Sequence, residues 1–207
     1  ARAGGTPIDI MGGIHMYGGV MQALFARHAS GKGTLVETAM IEAMYFTLSS
    51  EFTAYHRTGE LAPRRGDKTP SITTPYGRYR CSDGWIAMMC VAETHWDRVL
   101  QVIGREDLRG HPDYEGNFKR HDRETEINEM IENWTKARSR DEAFGKLREA
   151  KVPVAPIRNI ADVRDDPHMH ARGMLVNRTH PELGEIVLPT SPIRLSEYEP
   201  SELAFFP

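Results

Sequence analysis

The sequence has little cysteine, no long hydrophobic run and no excess of either charge. Each shortage excludes a class of protein. Two cysteines in 207 residues cannot build the disulfide framework of a small secreted domain. No apolar run approaches the ~20 residues of a membrane-spanning helix. The opening Ala1-Arg2-Ala3-Gly4-Gly5 lacks the ordered basic, apolar and small-residue regions of a signal peptide. With 26 Lys and Arg against 29 Asp and Glu, the formal charge is −3. Nothing in that balance attracts nucleic acid or an anionic membrane, and neither is expected as a partner. The motifs G-x-G-x-x-G, G-x-S-x-G, H-E-x-x-H and C-x-x-C are all missing, so several common chemistries are not written locally. What remains is 40% hydrophobic and 27% charged, the composition of a globular chain with a core. At about 150 residues per domain, the length falls between one domain and two. The chain begins at Ala1 and not at Met, and is read as a segment of a longer one.

Both cysteines fall in one short stretch, Tyr76 to Cys90. Asp83-Gly84 between aromatic and β-branched runs is a hairpin signal. A two-residue Asp83-Gly84 turn sets Cys81 opposite Ile86 and Cys90 opposite Gly77, too far apart along the ladder to be bridged. Two reduced, buried thiols in the cytoplasm are expected.

From Gly12, apolar residues recur at Ile14, Tyr17, Met21, Leu24 and Phe25, a helical stripe that stops at Gly31 and Gly33. Gly18 and Gly19 cost that helix about 1 kcal/mol each, which points to close packing against them. An extended run over Thr34–Met40 follows. One helix then carries Ile41, Met44, Tyr45, Leu48, Phe52 and Tyr55. Helix, strand and helix together read as the edge of a layered α/β domain. Residues 56–75 are basic, proline-rich and aperiodic, a loop or linker. After the hairpin, Thr94 is placed as the N-cap of a helix bearing Trp96, Val99, Leu100 and Ile103, with Gly104 as its stop. A second helix carries Ile127, Met130, Ile131 and Trp134. Ser139 and Glu142 form a capping box that opens a third, with Phe144 and Leu147 on its apolar side. Val152–Ile157 is extended. Asn159 caps a short helix over Ile160–Arg164, and His168–Arg172 forms another. Met174–His180 and Glu185–Pro189 read as paired strands.

Local chemistry is thin. His168 and His170 beside Asp165 and Asp166 lack a second ligand pair, so no metal is expected and helix-end roles are preferred. In Gly31-Lys32-Gly33-Thr34 the Lys precedes Gly and follows a helix, which makes a C-cap and not a phosphate loop. Asp9 is read as a partner of the helix dipole. Arg64-Arg65-Gly66-Asp67-Lys68 is either a solvated charged loop or a contact for an anionic ligand.

The order of short motifs says more than any one of them. Thr6-Pro7-Ile8-Asp9-Ile10-Met11-Gly12 precedes Gly18-Gly19-Val20-Met21-Gln22-Ala23-Leu24-Phe25-Ala26-Arg27, then Ser30-Gly31-Lys32-Gly33 and Val36-Glu37-Thr38-Ala39-Met40. Further on come Pro75-Tyr76-Gly77-Arg78-Tyr79, Asp83-Gly84-Trp85-Ile86, Val152-Pro153-Val154-Ala155-Pro156-Ile157 and Asp166-Pro167-His168. Ala171-Arg172-Gly173-Met174, His180-Pro181-Glu182-Leu183-Gly184 and Pro192-Ile193-Arg194-Leu195 complete the series. In this order and spacing the chain resembles the C-terminal half of a family III CoA-transferase, the group of formyl-CoA transferase, the carnitine CoA-transferase and α-methylacyl-CoA racemase.

The resemblance implies an α/β fold. The chain would contain the end of a large open-sheet α/β domain (1–55), a linker (56–69), a small α+β domain (70–155) and an extended return to the large domain (156–207). Two subunits would interlock as a cytoplasmic homodimer. The implied substrates are an acyl-CoA thioester and a carboxylic acid, with no tightly bound cofactor and no metal. In the transferases an aspartate carboxylate attacks the acyl-CoA, and an enzyme-bound CoA thioester passes CoA to the acceptor. That nucleophilic Asp is expected upstream of Ala1, so no catalytic residue is assigned in this chain, and Asp9 does not inherit the role. The active-site loop of the family corresponds to Arg65, Gly66 and Asp67. The stretch 65–71 holds a single glycine, a departure from the glycine-rich lid of formyl-CoA transferase. A racemase on the same fold and a non-catalytic dimerisation or binding remnant stay open as alternatives. In this chain by itself, residues 14–55 are expected to expose apolar helix faces.

Overall fold

A computed structural model of the chain describes residues 5–61 and 73–197. It falls into two compact units, 1–65 and 66–207. The mixed α/β class is as expected.

The first unit is helical among its described residues. Helix α1 spans Pro7–Ser30, five residues earlier than the apolar stripe begins. Pro7 occupies the first turn, where its missing N–H costs nothing. Asp9 sits in that same turn, where a carboxylate favours the helix dipole. Gly31 ends the helix in the left-handed region at φ 67°, its N–H bonded to the Arg27 carbonyl at 2.8 Å. The Gly-Lys-Gly segment is therefore a C-cap. A β-carbon on Gly19 would stand 2.8 Å from Val36 Cγ1, so its lack of a side chain lets the following segment close on the helix. Gly18 has no such neighbour. The run from Thr34 is extended but pairs with no strand among the described residues.

The helix expected over Ile41–Tyr55 is in fact two, α2 (Met40–Thr47) and α3 (Ser49–Thr58). Leu48 between them takes φ −103° and ψ 18°. The break falls at Thr-Leu-Ser-Ser, where hydroxyls compete for backbone: Thr47 Oγ1 donates to the Met44 carbonyl at 2.7 Å. Apolar side chains stand out from all three helices, with Phe25 81% and Phe46 80% exposed.

The second unit holds the buried core. Strands β1 (Tyr76–Arg80), β2 (Trp85–Met89) and β3 (Val154–Ile157) form an antiparallel sheet in that order. Its inner face buries Tyr79, Ile86 and Met88 against α4 (Glu93–Ile103), α6 (Glu124–Lys136) and α7 (Arg140–Glu149). A single turn of 3-10 helix (Glu106–Leu108) and α5 (Asn117–Asp122) lie between α4 and α6. The hairpin register differs from expectation by two residues: Arg80 pairs with Trp85 and Tyr76 with Met89. Ser82 and Asp83 are the turn, closed by Cys81 N–H donating to the Gly84 carbonyl at 2.8 Å. Cys81 and Cys90, both free and buried, lie at opposite ends of the hairpin. Burial pushes the Cys90 thiol up to about 12, which makes it a poor nucleophile.

Helix α4 starts after Ala92, not Thr94; the Ala92 N–H donates to His95 Nδ1 at 3.4 Å. Gly104 ends it with φ 74°. Ser139 caps α7 by accepting from Glu142 N–H at 3.2 Å. At the other end of α7, Lys151 N–H bonds to the Arg148 carbonyl and Val152 N–H to the Leu147 carbonyl. This is a Schellman stop with lysine at the left-handed position, φ 59°. Lys151→Gly is therefore expected to stabilise the fold by about 0.5–1 kcal/mol. A higher urea midpoint with unchanged slope would show it, and a lower midpoint would refute it.

The remaining elements are α8 (Ile160–Arg164), α9 (Pro167–Ala171) and the antiparallel pair β4 (Leu175–His180) and β5 (Gly184–Pro189). Asn159 and Asp162 cap α8 reciprocally, at 2.9 and 3.1 Å.

Candidate functional site

Chemistry in the second unit gathers around the three-stranded sheet. At its entrance lies Arg120, wholly buried. All five of its N–H donors are used. Nε donates to the Thr74 carbonyl at 2.8 Å. Nη1 donates to Glu93 Oε2 at 2.7 Å and to the Tyr114 carbonyl at 3.0 Å. Nη2 donates to Glu93 Oε1 and Asn117 Oδ1, at 2.8 and 2.9 Å. Its guanidinium also lies over Trp96, 5.7 Å from the ring centre. The hydrogen bonds from Arg120 hold the Glu93 carboxyl below the usual carboxylate range. This clamp ties α4, α5 and the residue before Pro75 together, and so fixes where β1 begins.

At the opposite end of the sheet, Arg140 does similar work. Its backbone N–H donates to Asp83 Oδ1 at 2.6 Å, holding the hairpin turn. Its Nη1 reaches Asp162 Oδ2 at 2.7 Å and the Ile157 carbonyl at 3.3 Å. Arg158 pairs with Asp166 at 2.9 Å.

The outer face of the sheet carries Tyr76, Arg78 and Arg80 from β1, and Trp85, Ala87 and Met89 from β2. Arg78 lies over the Trp85 ring, 5.6 Å from its centre. No acidic residue occurs in the three strands. An apolar cleft of about 670 Å³ opens elsewhere, where Ile160, Val163, Met169, Met174, Ile186 and Val187 meet. Arg164 at its edge is tied to Asp165 at 2.7 and 2.8 Å, so the cleft offers contact area and no reactive group.

The residues singled out from sequence fare differently. Arg65, Gly66 and Asp67 lie outside the described residues. Asp166 accepts from His168 N–H at 2.8 Å as the cap of α9, and His170 Nε2 lies 2.7 Å from the Arg164 carbonyl. The described residues bring no three His, Cys, Asp or Glu side chains together as a metal site. No described helix is long and apolar enough to cross a membrane. Arg120 and Arg140 were not legible as organising residues, because their partners lie up to 57 positions away.

Comparison with known proteins decides the family. The model for CoA-transferase family III matches residues 1–204. The chain belongs to that family. It is 33% identical over 184 residues to the succinyl-CoA:mesaconate CoA-transferase of Haloarcula hispanica, covering 88% of this chain and 46% of that protein. It is 31% identical over 180 residues to the succinyl-CoA–L-malate CoA-transferase alpha subunit of Chloroflexus aurantiacus, covering 86% of this chain and 42% of that protein. A crystal structure of a CaiB/BaiF family protein from Brucella suis superposes with a TM-score of 0.78 at 25% identity, over 97% of this chain and 52% of that one. The chain thus spans about half the length of the family III relatives it matches.

Proposed function

We propose that the full-length protein transfers CoA from an acyl-CoA thioester to a carboxylic acid, as a cytoplasmic, interlocked homodimer. The match to the family III model across residues 1–204 carries this reading. Relatives named for succinyl-CoA, mesaconate and malate support a short dicarboxylic acid as the substrate class.

In the proposed sequence of steps, an aspartate carboxylate outside this chain attacks the thioester carbonyl and expels CoA thiolate, leaving a mixed anhydride. The thiolate then attacks the aspartyl carbonyl, releasing the donor acid and forming an aspartyl-CoA thioester. The acceptor carboxylate repeats the sequence in reverse and leaves as its CoA ester. A carboxylate is a weak nucleophile, so the site must position it and stabilise each oxyanion. The bonds are all carried by the carboxylates and the thioester, and no resident cofactor enters. The loop with Arg65, Gly66 and Asp67 would border this site, and the second unit described above would form part of its wall.

Full-length protein mixed with succinyl-CoA and labelled mesaconate should yield labelled mesaconyl-CoA. Its intact mass should rise by one CoA, less water, when it is quenched with donor alone. Deuterium entering the α-carbon of an acyl-CoA without CoA exchange would replace this reading with a racemase. Neither exchange nor covalent CoA would remove the transferase reading.

A further inference from the structure

The second unit packs as two parts. Its buried core runs from Tyr79 to Val152, with Val154 of β3 packed at the edge. Beyond β3, the elements α8, α9, β4 and β5 contribute no buried side chain. Their apolar residues, Val163, Met169, Met174 and Ile186 among them, line a cleft of their own. Polar contacts also tie these elements to one another. Arg158 pairs with Asp166, the cap of α9, at 2.9 Å. His170 Nε2 lies 2.7 Å from the Arg164 carbonyl, and Thr190 Oγ1 donates to the Gly173 carbonyl at 2.7 Å. A segment that shares few buried contacts with a core opens at a lower free energy than global unfolding.

Arg140 crosses the boundary between the two parts. On the core side, its backbone N–H donates to Asp83 at 2.6 Å, and its stem runs past Gly84, where a β-carbon would touch it at 3.4 Å. Its Nη1 then donates to the carbonyl of Ile157, the last residue of β3, at 3.3 Å, and to Asp162 Oδ2 of α8 at 2.7 Å. The same Asp162 oxygen accepts from Asn159 N–H at 3.1 Å. One carboxylate therefore both caps α8 and holds it to the core. The two side chains are 23% and 26% exposed, sheltered enough for a charge-assisted bond to hold better than an open surface pair. Arg158 and Asn159 alone separate β3 from α8, and a few such residues can absorb the rotation of a hinge.

We propose that α8, α9, β4 and β5 form a flap that swings as one body about Arg158-Asn159, with the Arg140–Asp162 contact as its latch. Closed, the latch sets the flap and its apolar cleft at a fixed angle to the three-stranded sheet. Released, the flap turns while the core stays packed. The device belongs to the second unit and stands independently of the CoA-transfer reading.

The test uses the full-length protein with spin labels on Glu129→Cys of α6 and Glu182→Cys between β4 and β5. Both positions are exposed, whereas Cys81 and Cys90 are buried. With the latch intact, double electron–electron resonance should give a narrow distance distribution. Arg140→Ala should broaden it at least twofold, and Arg140→Lys should recover part of the change. Asp162→Asn, which keeps an acceptor for the α8 cap, should broaden it in the same direction by a smaller factor. Limited trypsin digestion supplies a second readout. Cleavage after Arg158 should quicken at least fivefold in Arg140→Ala, with cleavage inside residues 76–152 unchanged. Unaltered distances and cleavage in the Arg140→Ala and Asp162→Asn variants would overturn the proposal. Cleavage that quickens equally across the core would overturn it too, because that is general destabilisation and not release of a latch.

Discussion

Arg120→Ala is expected to cost the second unit about 3–4 kcal/mol, the combined scale of deleting a large buried side chain and the hydrogen bonds it donates to buried carbonyls. The side chain is wholly buried and donates to two backbone carbonyls, an amide oxygen and both oxygens of Glu93. Alanine takes that donor from the buried Thr74 and Tyr114 carbonyls and adds a cavity beneath Trp96. Glu93→Gln is expected to cost far less, about 1 kcal/mol, because that carboxylate is half exposed and the amide oxygen still accepts. Urea unfolding of the two variants distinguishes a network centred on Arg120 from a simple surface pair. With a slope of about 1–3 kcal/mol per molar urea, Arg120→Ala moves the midpoint by more than about 1 M. A shift no larger than that of Glu93→Gln would show that the clamp is not organising the unit.

The same contact has a pH signature. Because the folded-state pKa of Glu93 is depressed, mainly by hydrogen bonds from Arg120, its contribution is present above the ordinary carboxylate range. It is lost as pH falls through the lowered value. Arg120→Ala should flatten that acid limb.

How much of this was legible in the sequence depends on where the deciding contact lies. Helix α8 was readable to the residue, because Asn159 and Asp162 cap it within three positions of each other. The apolar spacing of Ile127, Ile131 and Trp134 likewise marked α6. The hairpin was readable as a hairpin, yet its register was not. The Ser82 N–H donates to the Arg138 carbonyl, and Asp83 accepts from the start of α7. Those tertiary bonds hold Ser82-Asp83 as the turn, and Gly84 is left outside the left-handed region that an Asp-Gly turn requires. The start of α4 was misplaced for a related reason: Glu93 is drawn into the first turn by Arg120, 27 residues on. Apolar periodicity also ran unbroken across Leu48, because Phe52 and Tyr55 continue the stripe on α3. The local hydroxyl competition that breaks the helix leaves no mark on that period. The CoA-transferase reading came from the order of many weak motifs, and no single catalytic constellation could have supplied it.

The apolar stripe that misled on α2 and α3 governs how this chain should behave in isolation. Ile14, Tyr17, Met21, Leu24 and Phe25 of α1 are exposed, as are Ile41, Tyr45 and Phe46 of α2 and Phe52 and Tyr55 of α3. Contiguous apolar patches on monomeric proteins rarely exceed a few hundred Å², and burying one large apolar side chain is worth about 1.5–3 kcal/mol. Several such side chains on one small helical unit outweigh the entropy lost on association. The 207-residue chain produced alone is therefore expected to bind 8-anilinonaphthalene sulfonate strongly and to run on size exclusion well above its 23.4 kDa mass. Phe25→Glu combined with Phe46→Glu removes two of the most exposed rings and places like charges on the patch. That variant should shift the chain toward monomer and lower the dye signal severalfold without loss of helical circular dichroism. A wild-type chain that is monomeric and dark to the dye would mean that these faces are covered within the chain itself.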